Sequence, residues 1–386
     1  MTHLPRATPE EIGLSSVRLD AAYRLLEEWT RDDEPERIPG AAIIVGRHGR
    51  TIAPRFFGRQ GPAADDPPIR DDGIFLLASI TKPITYTAGM MMVERGLLGL
   101  TDRVTDYIPE FGARNTAHDK SEMRVIHLFT HTSGMPDMLP TNVELRKRHA
   151  PLADFVAGAI DAELLFTPGT DLSYQSMGTL LTAEIVQRLS EKSIQAFVKE
   201  EIFDPLELES SAFGSQGLDS ERLVRVVTDE QYDWTWNSTF WRRLGTPWGG
   251  MFSTPDDLAV ICQLFLDGGR YGDVRLLSPA AIRAMTTNRL HELPDLPEPI
   301  RRTQPWGLGW SLNHVGWSTR PPDPRGVLSG GWGVELVSRR AFGHCGATGT
   351  FLWADPDSRG FCVILTTLLK WKRLVKLSNV IAAAFE

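Results

Sequence analysis

Cysteine is scarce. Cys262, Cys345 and Cys362 are the only three in 386 residues; odd in number and far apart, they make no disulfide framework. No apolar run approaches the thickness of a bilayer. The opening Met1-Thr2-His3-Leu4-Pro5-Arg6 lacks the apolar core of a signal peptide, so the expectation is a cytoplasmic protein without a membrane span. The net charge of −8 and the lack of a long basic tract argue against nucleic acid or an anionic membrane as partner. Arg146-Lys147-Arg148 reads as a solvated helix face. Neither His-Glu-x-x-His nor paired Cys-x-x-Cys occurs, so no metal is indicated, and no motif points to a cofactor. A Gly-x-Ser-x-Gly elbow is missing too, which leaves an α/β-hydrolase unsupported. There are no internal repeats, and the oligomeric state is left open.

What is present reads as a soluble globular chain, long enough for one large domain or two interleaved ones. Ser15 or Ser16 can cap a first helix with Leu19, Tyr23, Leu26 and Trp29 on one stripe. Ala41 to Val45 and Thr51 to Phe57 read as strands joined at His48-Gly49. The middle has helical spacing at 122–130, 179–189 and 194–203. Thr254-Pro255-Asp256-Asp257 and Ser278-Pro279 are strong helix starts. Strands return at 340–345, 350–354 and 361–367, before a closing helix from about 370 to 385. One sheet built from both chain ends is therefore expected, from residues 1–100 and 255–386, with 101–254 as an inserted, mostly helical domain and the active site between them. Two stretches, 227–250 and 290–338, are irregular but rich in tryptophan, which argues against disorder.

Ser79-Ile80-Thr81-Lys82 is the only Ser-x-x-Lys of the chain. It follows an apolar approach, 74–78, and leads into a helical stretch, 84–98. That spacing puts Ser79 and Lys82 on one helical face, where the amine can take the hydroxyl proton and free N–H groups lie near. Alone, such a motif is weak. Tyr174, on a short loop after Pro168-Gly169, is a candidate proton shuttle whose pKa a neighbouring ammonium would lower. The small residues of Gly343-His344-Cys345-Gly346-Ala347-Thr348-Gly349 could bring a backbone N–H against a ligand; with that of Ser79 it would hold an oxyanion. Trp234, Trp236 and Trp248 read as walls of an acyl or alcohol pocket, while Trp306 and Trp310 suit wall and core equally.

In order along the chain, Ser79-Ile80-Thr81-Lys82, Leu128-Phe129-Thr130-His131-Thr132-Ser133-Gly134-Met135-Pro136-Asp137, Tyr174-Gln175-Ser176, Trp248-Gly249-Gly250-Met251-Phe252-Ser253-Thr254 and His344-Cys345-Gly346 resemble the serine β-lactamase and penicillin-binding-protein superfamily. The similarity is strongest to its class C β-lactamase-like branch, which includes carboxylesterases, D-aminopeptidases and acyltransferases. The resemblance implies an α+β fold, an antiparallel sheet flanked by helices beside an all-helical domain. It implies Ser79 as acylated nucleophile, Lys82 as base, Tyr174 as shuttle, and the N–H groups of Ser79 and Ala347 as oxyanion hole. The motif of His131 is structural in that family.

The chain departs from the pattern twice. Ser176 stands where class C enzymes carry an asparagine, and His344-Cys345-Gly346 where they carry Lys-Thr-Gly. The second change removes a permanent cation suited to a substrate carboxylate. Penicillins and D-Ala-D-Ala peptides should bind poorly. Ser176, His344, Cys345 and Gly346 are expected to line the substrate site, His344 titrating near neutrality unless its surroundings shift it. Cys345 lacks a neighbouring base and is read as inert. The expected activity is a serine hydrolase acting on small-molecule esters, with at most weak β-lactam turnover. The alternatives are an amidase or peptidase of D-amino acid peptides, a small-molecule acyltransferase, and a non-catalytic scaffold.

Overall fold

The computed structural model describes residues 3–113, 117–314 and 332–386. Part of the irregular 290–338 stretch, 315–331, thus lies outside the described residues. The strands in chain order are β1 (Gly40–Arg47), β2 (Arg50–Thr51), β3 (Arg55–Gly58), β4 (Phe75–Leu76), β5 (Ala212–Phe213), β6 (Met251–Ser253), β7 (Arg270–Tyr271), β8 (Val274–Arg275), β9 (Ser311–Leu312), β10 (Phe342–Cys345), β11 (Phe351–Asp355) and β12 (Gly360–Thr366). The main sheet runs β2-β1-β12-β11-β10-β9, with β3 also on β1. Every pairing in it is antiparallel. The second strand expected near the N-terminus is split into β2 and β3; Pro54, between them, has no N–H for the ladder.

Both faces of the sheet are buried, and the side chains alternate accordingly. Ala41, Ile43, Val45, Phe351, Trp353, Cys362 and Ile364 point to one core, with the helices Ser16–Trp29 and Trp371–Ala382. Ala42, Ile44, Leu352, Ala354, Phe361, Val363 and Leu365 point to the other, with the helix Pro255–Leu266. The register sets Ile43 opposite Ile364 and Ile364 opposite Phe351, so three strands meet in one layer. Thr254 and Ser278 cap their helices as expected, accepting from the N–H groups of Asp257 and Ala281. Ser15 occupies the cap position of the first helix but its side chain makes no capping bond.

The second core continues into the helices of the middle of the chain. There the helices Thr81–Glu94 and Met177–Ser190 lie against each other. Gly89 permits it: a Cβ there would lie 2.7 Å from the Phe129 ring and 3.2 Å from Thr182. A small sheet, β4-β6-β5, leads into the Thr81–Glu94 helix. That helix starts earlier than its apolar pattern suggests, after a single 3₁₀ turn, Ala78–Ile80.

Ile364 is fully buried at the centre of this arrangement. Ile364→Ala should cost about 2–5 kcal/mol, the price of a cavity in a rigid layer. Urea unfolding should give a lower midpoint with an unchanged slope; an unchanged midpoint would mean the layer repacks around the loss.

Candidate active site

Strand β4 delivers the chain to Ser79 through a constrained corner. Leu77 N–H donates to Met251 O at 2.9 Å, tying the corner to β6. Ala78 then takes φ 49°, a left-handed conformation uncommon for a residue with a Cβ. Thr81 Oγ1 closes the turn, donating to Ala78 O at 2.6 Å and accepting from Met251 N–H at 3.0 Å. Ser79 is thereby left half-buried above the first turn of the helix, with Lys82 fully buried beneath it.

Lys82 Nζ donates to Ser79 Oγ and to Trp248 O, both at 3.0 Å, and stands 4.7 Å from the centre of the Tyr174 ring. Burial pushes its ammonium down to about 8, against the pull of Asp137 and Cys345. The phenol of Tyr174 is held well above the usual range, chiefly by burial and then by Asp137, with the neighbouring Ser79 acting the other way. The expectation that a nearby ammonium would lower it is thus corrected: desolvation sets the direction of the shift.

The end of β10 comes against the same corner. Thr348 Oγ1 donates to Leu76 O at 2.8 Å and Thr350 Oγ1 to Leu77 O at 2.7 Å. A Cβ on Gly346 would lie 2.1 Å from Leu77 O, so only glycine permits this approach. Ala347 sits exposed at the tip of the turn. Cys345 is half-buried, its thiol pushed up to about 12 by desolvation while Lys82 acts the other way; a protonated thiol is inert.

His344 is fully buried, with Nδ1 2.8 Å from Cys345 O. Burial, then the charge of Lys82, pushes it down to about 3. The near-neutral titration expected of it is therefore overturned, and at physiological pH it is a neutral ring. Ser176 is buried as well and donates from Oγ to Asp137 Oδ1 at 2.7 Å. This half-buried carboxylate is a site group the sequence reading left without a role.

The tryptophans divide. Trp248 is 2% exposed and packs against Phe155 and Trp241, so its ring is core rather than pocket wall, and what it brings to Lys82 is its carbonyl. Trp234 stacks on Tyr232 at 5.3 Å beneath Arg146 and Lys147, and Trp236 packs partly buried against the main core. Nearby, Tyr232, Thr235, Phe240 and Arg242 line a cleft of ≈ 880 Å³ whose lining does not include Ser79, Lys82 or Tyr174. Trp306 is the indole that backs the site, 6.1 Å from the rings of both Tyr174 and His344. Trp310 is core, between Phe265 and Phe342. Among the described residues, no cluster of His, Cys, Asp or Glu could hold a metal ion, and no helix is long and apolar enough to cross a membrane.

A serine on a strained corner, a buried amine beneath it and a phenol alongside define a serine hydrolase of the β-lactamase and penicillin-binding-protein type. The chain belongs to the Beta-lactamase family, whose model matches residues 29–384. It is 24% identical over 407 residues to a protein of Escherichia coli (strain K12) provisionally named a D-alanyl-D-alanine carboxypeptidase, covering 94% of this chain and 85% of that one. Among solved structures it is similar to a penicillin-binding protein homologue from Caulobacter crescentus, with a TM-score of 0.72, 21% identity and 96% and 99% of the two chains covered. It is also similar to a family VIII carboxylesterase, with a TM-score of 0.74, 19% identity and 96% and 99% covered.

A depressed amine burdens the fold. Between pH 8 and 10.5 the unfolded chain holds the Lys82 proton that the folded chain has lost, so stability rises with pH through that window; below pH 8 the penalty is felt in full. The shift is worth on the order of 3 kcal/mol, partly offset in Lys82→Met by about 1–3 kcal/mol for the orphaned Trp248 carbonyl. Lys82→Met should therefore match or exceed the parent in thermal stability at pH 7 and lose that advantage by pH 9.5. A variant equally destabilised at both pH values would contradict a penalised ammonium.

Proposed function

We propose that this protein hydrolyses small carboxylic esters through an acyl-enzyme on Ser79. The observation that carries this reading is the 3.0 Å contact from Lys82 Nζ to Ser79 Oγ, made by an amine poised near pH 8. Such an amine is neutral often enough to accept a proton and charged often enough to return it. Lys82 takes the Ser79 proton as Oγ attacks the ester carbonyl. The N–H groups of Ser79 and Ala347 are read as the donors that hold the oxyanion. Tyr174, whose phenol keeps its proton, gives it to the leaving alkoxide and is refilled from the Lys82 ammonium. Water then enters where the alcohol left and loses a proton to the same pair, which passes it to Ser79 Oγ as the acyl C–O bond breaks and the acid leaves.

The neutral His344 favours an uncharged ester over the carboxylate-bearing substrates that a lysine at this position would suit. The likeness to a family VIII carboxylesterase supports the same choice. A second reading, amide or D-peptide cleavage, draws on the name of the Escherichia coli relative. Comparing an ester with its matching amide separates the two, and a large preference for the amide would reverse the order.

The test is hydrolysis of a short-chain p-nitrophenyl ester. Ser79→Ala should abolish turnover, and Tyr174→Phe should lower it ~10²–10⁴-fold. The rate should climb with pH through about 8 as Lys82 loses its proton. Equal activity in Ser79→Ala would dismiss this site. Failure of a fluorophosphonate to label Ser79 in folded protein would instead favour a non-catalytic relative.

A further inference from the structure

Tyr174 lies in a stretch, 171–176, that belongs to neither helix nor strand. No ladder of backbone bonds holds it, yet a shuttle has to keep its oxygen within a fraction of an ångström of two partners. Two of the bonds that hold it reach one residue, and Ser176 N–H adds a third to Asp137 O at 3.3 Å.

We propose that His131 is the positioning residue of Tyr174, clamping the peptide on both sides of the phenol. The inference rests on the reading of Tyr174 as proton shuttle. Ser173 N–H donates to His131 O at 3.0 Å, and Gln175 N–H donates to His131 Nδ1 at 3.2 Å. The residues on either side of Tyr174 are thus bonded to one residue 43 positions upstream. Between these bonds the two rings lie over each other, centroids 4.7 Å apart at 35°.

The clamp is itself held. His131 is fully buried and takes φ 59°, which turns its carbonyl and its ring toward the same segment. Trp306 meets the imidazole edge-on at 4.5 Å, and Tyr86 lies at 6.4 Å. Gln175 is fixed from behind, donating from Nε2 to His127 O at 3.2 Å and to Leu128 O at 3.1 Å, while Ser133 Oγ donates to its Oε1.

Because Nδ1 accepts, the ring proton resides on Nε2. A second proton, on Nδ1, would point at the Gln175 N–H and break the clamp. Burial, with Lys82 and His344 nearby, holds the imidazole far below its ordinary titration range, so the accepting form persists. His131 bonds the peptide on both sides of Tyr174 and so acts through it.

The test is a double-mutant cycle on ester hydrolysis. His131→Leu removes the acceptor and should lower kcat ~10²-fold, the scale of an ångström's misplacement, with little change in KM. His131→Asn, whose Oδ1 can stand where Nδ1 stood, should recover most of that loss. In a Tyr174→Phe background, His131→Leu should cost less than about threefold, since residues acting as a unit are not additive. Thermal melts check that each variant is folded; should His131→Leu not fold, His131→Gln, whose carbonyl reaches too far, takes its place. An equal cost in both backgrounds, or a folded Asn variant as poor as Leu, would overturn the clamp alone. Full activity in Tyr174→Phe would overturn the shuttle reading first, and the clamp's purpose with it.

Discussion

Everything at this site depends on a lysine that should not be where it is. Lys82 has no exposed surface, and an ammonium taken from water without partners is among the costliest groups a fold can contain. It is tolerated because its two hydrogen bonds reach a hydroxyl and a carbonyl that other parts of the fold hold still. The Trp248 carbonyl is set by the approach to β6, itself knitted to the Thr81–Glu94 helix by the bond that Thr81 Oγ1 accepts from Met251 N–H and the one that Thr85 Oγ1 donates to Pro247 O. The strain at Ala78 belongs to the same bargain of geometry. A relaxed corner would let the serine join the helix smoothly, with nothing to keep its hydroxyl over the amine.

The second constraint is the meeting of two sheets. The main sheet supplies β10, whose C-terminal half runs past the short β9 and is free to face the site. The small sheet supplies the corner. Thr348 and Thr350 join them with side-chain bonds to two successive carbonyls, Leu76 O and Leu77 O, which precede Ser79. Two such bonds fix a direction as well as a distance, so the tip at Ala347 cannot swing independently of the serine. Gly346 makes the approach possible, and replacing it would push the two sheets apart at the point where the chemistry needs them close.

Much of this was legible in the chain. The unbroken apolar runs of 41–45 and 361–365 reflect a sheet buried on both faces, and the caps at Thr254 and Ser278 are local chemistry that a linear reading captures. Ser79, Lys82 and Tyr174 carry their meaning in residue type and order, and the structure brings all three together with His344. What was hidden depends on contacts distant in sequence. The fate of Trp248 is decided in part by Phe155, 93 residues upstream, which no spacing reveals. The residues packed on Tyr174 and His344, among them His131, Trp306 and Lys82, come from other parts of the chain, 38 or more residues away. Asp137 was visible as part of a motif, but its bond to Ser176 exists only once the two loops are folded against each other.

The charge balance of the cleft follows from these burials and bears on what it can hold. Lys82 is the cation whose charge acts on His131 and His344, and in the proposed mechanism it gives up that charge to serve as a base. His344 cannot replace it, because the desolvation that makes the imidazole a good neighbour for an uncharged group also denies it a proton. Asp137 stays beside them, tethered by Ser176. A substrate carboxylate entering here would leave water to meet a neutral ring, a transiently neutral amine and a like charge. In a site of low effective dielectric each of those encounters is magnified. An uncharged acyl group meets none of these penalties, and in the proposed mechanism its developing oxyanion is left to the backbone donors of the corner and the turn. On the proposed reading, the substitution of His344-Cys345 for a permanent cation and a hydroxyl would change which ground state can enter while leaving the apparatus assigned to the transition state intact.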